Sequence, residues 1–190
     1  PSPFNDVEGT GSLRSDLGLP ADVPLVGMFS RLAPWKGQHV LLHALDALPE
    51  VHAVLVGDAL FGPDQEYAQA LHRLVREKGL TDRVHFLGFR DDVPTLMKQV
   101  DIVAHTSVDP EPFGRVIVEG MLAETPVVAT AAGGAREIVH SGHNGLLVSP
   151  DDPASLRRAL QRLVEAPDWA RTLAERGRRT ATTQFSHESM

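Results

Sequence analysis

The sequence predicts a doubly wound α/β fold, in which a mostly parallel six-stranded sheet carries helices on both faces. Six short apolar runs, most of them rich in Val or Ile, have the length and composition of strands buried on both faces. They cover residues 25–29, 53–56, 84–87, 102–104, 127–129 and 146–148. Helix-like stretches separate the runs, and strand–helix–strand units with short connections give parallel strands and right-handed crossovers.

Three of the intervening stretches predict amphipathic helices, because their apolar side chains recur at helical spacing on one face. Asp152 as N-cap and Pro153 at the first helical position mark the start of the last one. The three stripes consist of Leu41, Leu45 and Leu48, then Tyr67, Leu71, Leu74 and Lys78, and then Leu156, Leu160 and Leu163.

Length and composition predict one soluble, acidic domain. The chain has 190 residues, against a prior of about 150 per domain. Its 18 Lys and Arg against 25 Asp and Glu give a net charge of −7, which argues against a protein that binds nucleic acid or a membrane over a broad face. The absence of cysteine suits a reducing cytoplasm.

Prolines and glycines make residues 1–23 an irregular lead-in or hinge before the domain of residues 24–185.

Ligands of such sheets bind at the carboxyl ends of the strands, so the loops that follow the apolar runs are the candidate sites. Arg31 and Lys36 follow the first strand, five residues apart. We expect Lys36 to open the next helix, where a cation opposes the helix dipole. An anionic ligand such as a diphosphate would resolve that conflict, and two solvated surface charges are the alternative.

The segment after the fourth strand carries two acids. Glu111 lies in the loop, and Glu119 lies about two turns inside a helix that begins near Gly114 and reads as apolar on every face. A carboxylate in a buried helix needs hydrogen-bond donors, which a ligand or an internal partner such as Arg31 or Arg136 could supply. The free amides near Gly114 could hold a phosphate. For Glu111, the alternative is an ordinary loop acid.

The fifth strand is followed by Gly133 and Gly134, which would let the backbone approach a ligand closely. Two histidine pairs, at 39 and 43 and at 140 and 143, have no obvious third ligand, so no metal site is expected.

Together these segments resemble the carboxyl-terminal half of retaining GT-B glycosyltransferases with a Glu-x7-Glu signature, the glycosyl transferases group 1 type. The signature is Glu111-Pro112-Phe113-Gly114 through Glu119, with Arg31 to Gly37 before it and Gly133 to Glu137 after it. Residues 86–93, Phe-Leu-Gly-Phe-Arg and on to Val93, resemble the loop near the base. The resemblance covers residues 26–185.

The resemblance implies a Rossmann-like domain that binds a nucleoside-diphosphate sugar as donor substrate and requires no further cofactor. It places Arg31 and Lys36 on the diphosphate and Glu111 on the donor sugar. Glu119 is implied to bind the ribose hydroxyls. The backbone at Gly114, Arg115 and Val116, with Gly133 and Gly134, would contact phosphate or sugar, and Phe89 and Arg90 would line the base.

The resemblance also implies that an amino-terminal acceptor-binding domain is missing, and that residues 186–190 are the cut start of a terminal crossover helix. A parent enzyme would then be cytoplasmic and could associate with the membrane. His105-Thr106-Ser107 departs from the usual hydrophobic-Pro-Ser. The alternative functions are that of a GT-B epimerase or phosphorylase and that of a non-catalytic nucleotide-binding module.

Overall fold

The computed structural model describes residues 12–185 and contains one six-stranded sheet. The strand order is β3-β2-β1-β4-β5-β6, and every pair is parallel. The strands are β1 (Leu25–Phe29), β2 (His52–Val56), β3 (Val84–Gly88), β4 (Ile102–His105), β5 (Val127–Thr130) and β6 (Leu146–Val148). The predicted fold class is confirmed, and no predicted strand differs from its observed bounds by more than one residue at either end.

Eight helices connect and cover the strands in the described part of the chain. They are α1 (Ser12–Asp16), α2 (Gln38–Leu45), α3 (Pro63–Glu77), α4 (Val93–Met97), α5 (Arg115–Leu122), α6 (Ala135–Ile138), α7 (Pro153–Glu165) and α8 (Pro167–Gln184). Asp152 caps α7 as predicted, because its carboxylate accepts a hydrogen bond of 2.9 Å from the Ser155 amide.

The core consists of two apolar clusters, one on each face of the sheet. Helices α2, α3 and α7 pack on one face, and α1, α4, α5 and α6 pack on the other. Alternate residues of β1 divide between them, with Val26 in the first cluster and Leu25 in the second. Helix α8 contributes Leu173 to the first cluster and Ala181 to the second, so it passes from one face to the other.

The lead-in segment is more regular than predicted. Residues 12–16 form the helix α1, whose Leu13 is buried and whose Arg14 donates to the backbone carbonyl of Gln99 at 2.6 Å. These tertiary contacts stabilise a helix too short to be recognised from periodicity. The rest of the predicted hinge, residues 1–11, and the predicted helix start at 186–190 lie outside the described residues.

Two further expectations need correction. Lys36 does not open α2; it ends a 3-10 turn (Pro34–Lys36), and Gly37 is the N-cap of α2. Helix α5 is not buried on every face, because only Ile117, Val118, Gly120 and Met121 are buried within it.

Within residues 12–185 no helix combines the length and apolarity needed to cross a bilayer.

Candidate functional site

The candidate site lies where the chain reverses its direction across the sheet, between the neighbouring strands β1 and β4. Connections from these two strands lead to opposite sides, which leaves a crevice at their carboxyl ends. A cleft of about 340 Å³ opens there. Its walls come from the loops after β1, β2 and β3 and from the start of α5, and its lining includes Ser30, Arg31, Lys36, Gly57, Phe89, Arg90, Arg115, Val116 and Glu119.

Gly37 lets the loop after β1 lie directly against the end of β4. Its φ is 73°, and a Cβ at this position would come within 2.1 Å of the Thr106 carbonyl oxygen. The Thr106 hydroxyl in turn donates to the Gly37 carbonyl at 2.9 Å, and the Val108 amide donates to the Trp35 carbonyl at 2.9 Å. These contacts fix the short turn that carries Lys36 beside the loop that carries Glu111.

Neither cation of the first loop is simply a solvated surface charge. The Lys36 ammonium lies 2.8 Å from Oε1 of Glu111 and 4.2 Å from the centre of the Trp35 ring. Arg31 is more exposed and lies 3.4 Å from a carboxylate oxygen of Asp64, in the first turn of α3. Both cations line the cleft, so a diphosphate bound there would meet them together.

Glu111 is held by three donors, which makes it more than an ordinary loop acid. Its Oε1 lies 2.8 Å from Lys36 Nζ and 3.0 Å from Nε2 of His105, and it accepts a hydrogen bond from the Ser107 hydroxyl. Burial acts to raise the pKa of Glu111, but the hydrogen bonds from His105, Lys36 and Ser107 outweigh it and lower the pKa to about 2. The carboxylate therefore stays ionised at any physiological pH.

Glu119 lies eight residues further along the chain, in α5. Because that helix begins at Arg115, Glu119 is little more than one turn inside it rather than the two turns expected. Burial raises the pKa of its carboxyl, and Arg115, 3.2 Å away, opposes that rise. Neither Arg31 nor Arg136, the two internal partners considered from the sequence, takes this role: Arg31 faces Asp64, and Arg136 donates to the Ala131 carbonyl. A half-buried carboxylate with one exposed partner retains capacity to accept hydrogen bonds from ligand hydroxyls.

The start of α5 supplies backbone donors to the same cleft. Gly114 is the N-cap with φ 75°, and no side chain caps the helix. Arg115 and Val116, the first two helical residues, line the cleft. Their amides belong to the group of N–H bonds that has no partner within a helix, which favours an anion at this end.

Phe89 and Arg90 form the outer wall of the cleft. Phe89 is 79% exposed, unusually high for an aromatic side chain, and its ring is available for stacking. Arg90 is held by Asp92 through two hydrogen bonds of 2.7 and 2.6 Å.

Gly133 and Gly134 lie outside the cleft lining and support the Glu111 loop from behind. A Cβ on Gly133 would come within 2.1 Å of the Glu111 carbonyl oxygen, and the Gly134 amide donates to that oxygen at 2.9 Å. The close approach expected of these glycines is thus made to the protein's own backbone. A contact with donor phosphate or sugar stays a prediction, as it does for the other site residues.

Sequence reasoning missed His105, Ser107, Trp35 and Asp64. A usable signal existed for the first two, because His105, Thr106 and Ser107 are buried polar residues that directly follow an apolar strand. Such residues need internal partners, and two acids, Asp109 and Glu111, follow directly in the next loop. Within residues 12–185 no group of three or more potential ligands is arranged to hold a metal ion.

The comparisons with known proteins agree with this geometry. The family described as "Glycosyl transferases group 1" matches residues 10–180. The lipopolysaccharide core biosynthesis glycosyltransferase LpsE of Rhizobium meliloti is 36% identical over 98% of this chain and 54% of its own length.

Two solved structures extend the comparison. Anabaena HepE in complex with UDP and glucose is 48% identical over 93% of this chain and 48% of its own, with a TM-score of 0.89. The C-terminal domain of a glycosyl transferase group 1 family protein (LpcC) from Francisella tularensis is 28% identical over 96% of this chain and 95% of its own, with a TM-score of 0.83. The chain thus spans about half of LpsE and of HepE. On its sequence and its fold, the chain belongs to the glycosyl transferases group 1 family.

Proposed function

We propose that this chain is the donor-binding half of a retaining glycosyltransferase that transfers a sugar from a nucleoside-diphosphate sugar to an acceptor hydroxyl. The observation that carries the proposal is the convergence, in one cleft, of Arg31, Lys36 and the uncapped start of α5 with the two acids Glu111 and Glu119 close by. The cations and amides suit a diphosphate, and the acids suit hydroxyl groups.

Each part of the donor then has a place. The diphosphate lies between Arg31, Lys36 and the first amides of α5, and Glu119 accepts from the ribose hydroxyls. Glu111 accepts from the hydroxyls of the sugar. The base lies against Phe89 and Arg90 at the outer wall. HepE, which is 48% identical, was solved with UDP and with UDP-glucose, so these are the first ligands to test.

The chemical step depends mostly on charge stabilisation. The bond between the anomeric carbon and the diphosphate oxygen breaks, and the electron pair leaves with the diphosphate. The acceptor oxygen bonds to the same face of that carbon, and its proton passes to the departing phosphate. Arg31 and Lys36 stabilise the negative charge that develops on the diphosphate. The acceptor is bound by an amino-terminal domain of a longer chain, in a cytoplasmic enzyme that can lie at a membrane.

The first test is calorimetric titration of the chain with UDP, other nucleoside diphosphates and UDP-glucose. We expect Arg31→Ala and Lys36→Ala each to weaken diphosphate binding by about 1.5–3 kcal/mol, the usual contribution of a charge-assisted hydrogen bond. Lys78→Ala is the matched control, because Lys78 also forms a 2.8 Å ion pair, with Asp46, but does not line the cleft. Absence of binding by every nucleoside diphosphate would refute the proposal.

A second titration tests the assignment of Glu119. Glu119→Ala should weaken UDP at least tenfold while leaving inorganic diphosphate unchanged, since only UDP carries ribose hydroxyls. An equal loss for both ligands would contradict the ribose assignment.

The relatives named above are glycosyltransferases, which gives the epimerase, phosphorylase and non-catalytic alternatives no support.

A further inference from the structure

The donors around Glu111 share one oxygen of the carboxylate. Lys36 Nζ, Nε2 of His105 and the Ser107 hydroxyl all bond to Oε1. Among residues 12–185, no donor bonds to the other oxygen, Oε2. An ionised carboxylate has acceptor capacity on both oxygens, so this arrangement fixes the group at one end and leaves the other end available.

The two uncharged donors are themselves held by the ends of the sheet. His105 is the last residue of β4 and is 7% exposed. Ser107 is 1% exposed, and its carbonyl accepts a 2.8 Å hydrogen bond from the hydroxyl of Thr130, the last residue of β5. Donors anchored in this way lose little conformational entropy when they bind, and they define the position of their acceptor closely.

The geometry also fixes which nitrogen of His105 carries the proton. An ionised carboxylate cannot donate, so the Nε2 that faces Glu111 must be the N–H of that hydrogen bond. The other ring nitrogen, Nδ1, is buried and has no partner in the described part of the chain. The ring therefore contacts Glu111 through Nε2, which donates to the carboxylate.

Lys36 differs from these two donors because the same ammonium lines the cleft, where the proposed function places it against the diphosphate. If Lys36 were the only partner of Glu111, its engagement with phosphate would release the carboxylate. His105 and Ser107 remove that conflict, since they retain Oε1 while Lys36 turns toward the ligand.

We propose that His105 and Ser107 are positioning residues that hold Oε1 of Glu111, present Oε2 to the sugar hydroxyls of the donor, and free Lys36 for the diphosphate. The proposal rests on the donor-binding function proposed above. It assigns a role to two residues that touch neither the nucleotide nor the sugar, and whose effect on the ligand passes through Glu111.

The test compares UDP with UDP-glucose by calorimetry on the chain and its variants. His105→Leu should weaken UDP-glucose about tenfold while UDP changes less than threefold, because only the sugar meets Glu111. His105→Gln, which retains an N–H donor near the position of Nε2, should restore UDP-glucose binding to within threefold of the parent. Ser107→Ala, a smaller change, should produce a selective loss of about threefold.

Thr125→Val is the matched control for the loss of a buried hydrogen bond. The Thr125 hydroxyl donates to the Met97 carbonyl at 2.7 Å, at the amino end of β5 and far from Glu111. This variant should lower the melting temperature and leave the ratio of the two affinities unchanged. Equal weakening of UDP and UDP-glucose by His105→Leu, or no weakening of either, would overturn the proposal. If His105→Leu does not fold, Ser107→Ala decides: a selective loss of UDP-glucose binding supports the proposal, and an equal loss for both ligands or no loss overturns it.

A measurement that needs no ligand separates failure of this inference from failure of the donor-binding function. NMR titration of the Glu111 side-chain carboxyl should show a pKa well below the ordinary value in the parent and a rise of at least one unit in His105→Leu. An unchanged titration would refute the hold on Oε1, whatever binds. Absence of binding by UDP and UDP-glucose, with the titration shifted as expected, would refute the donor function and with it the presentation of Oε2 to sugar, leaving only the hold.

Discussion

At the scale of single residues, each of the two cations of the site forms an ion pair with an acid of the protein. Lys36 lies 2.8 Å from Glu111, and Arg31 lies 3.4 Å from Asp64. On the proposed function, a diphosphate would exchange one anionic partner of each cation for another, and its net gain in binding free energy would be smaller than with unpaired cations. Glu111 is also the residue whose ionisation the fold favours most clearly, with its pKa held at about 2.

The depressed pKa of Glu111 predicts how its contribution to stability depends on pH. A carboxyl whose pKa is lowered in the folded state stabilises the protein above its ordinary pKa of 4.5, and the contribution is lost as the pH falls toward 2. Glu111→Gln should cost about 1–3 kcal/mol of unfolding free energy at pH 7 and about half of that at pH 3. Urea denaturation of both proteins from pH 7 to pH 3 measures the difference.

The control for this prediction is Glu50→Gln, which changes an exposed acid in the turn before β2. The unfolding free energies of that variant and the parent should differ by less than about 0.5 kcal/mol at every pH. A gap between Glu111→Gln and the parent that stays constant down to pH 3 would show that the carboxylate is not held in its ionised form by its neighbours.

At the scale of elements, the sequence predicted the strands well and the contacts between loops poorly. Strands buried on both faces appear as continuous apolar runs, a local signal that 25–29 and 146–148 carry clearly. The pairing of Lys36 with Glu111 joins residues 75 positions apart. It depends on how two loops meet after the sheet has formed, which no periodicity encodes. The helix α1 escaped prediction for the same reason, since its stability comes from tertiary contacts.

The turn between β5 and α6 predicts that a substitution at Gly133 lowers the stability of the protein. Gly133 and Gly142 both have left-handed backbone, with φ of 54° and 80°. Replacing either by Ala therefore costs about 1–2 kcal/mol of unfolding free energy from backbone strain. Only at Gly133 does the new Cβ meet an atom, the Glu111 carbonyl oxygen at 2.1 Å; nothing lies within 4 Å of the Cβ at Gly142.

Gly133→Ala should therefore destabilise the protein by at least about 1 kcal/mol more than Gly142→Ala, because backbone must move to relieve the contact. It should also weaken UDP-glucose more than UDP, since the loop that moves carries Glu111. Urea denaturation and calorimetry on the two variants provide the measurement. Equal stability and equal affinities for the two would show that the Glu111 loop does not depend on this contact.

At the scale of the whole molecule, topology decides between two cavities. The larger, about 550 Å³, lies at the amino-terminal edge of the sheet, where its lining includes Pro24, Asp101 and Pro126, residues that immediately precede β1, β4 and β5. The smaller, about 340 Å³, lies at the carboxyl edge beside the switch between β1 and β4. By volume alone, the first cavity would be the better candidate for the ligand site. The direction of the strands favours the second cavity, because backbone amides, helix starts and the loops with the charged residues meet at the carboxyl edge.

Two arginines test this choice, since each lines one cavity and pairs with one aspartate. Arg31 lies 3.4 Å from Asp64 at the carboxyl edge, and Arg171 lies 3.4 Å from Asp168 at the amino edge. Arg31→Ala should weaken UDP at least tenfold, and Arg171→Ala should change its affinity less than twofold. At a UDP concentration of 100 times the parent's Kd, the parent should gain about 2.7 kcal/mol of unfolding free energy. Arg171→Ala should gain the same amount, and Arg31→Ala should gain at most about half of it. The reverse pattern would place the nucleotide at the amino edge and would contradict the rule that parallel sheets bind ligands at their carboxyl ends.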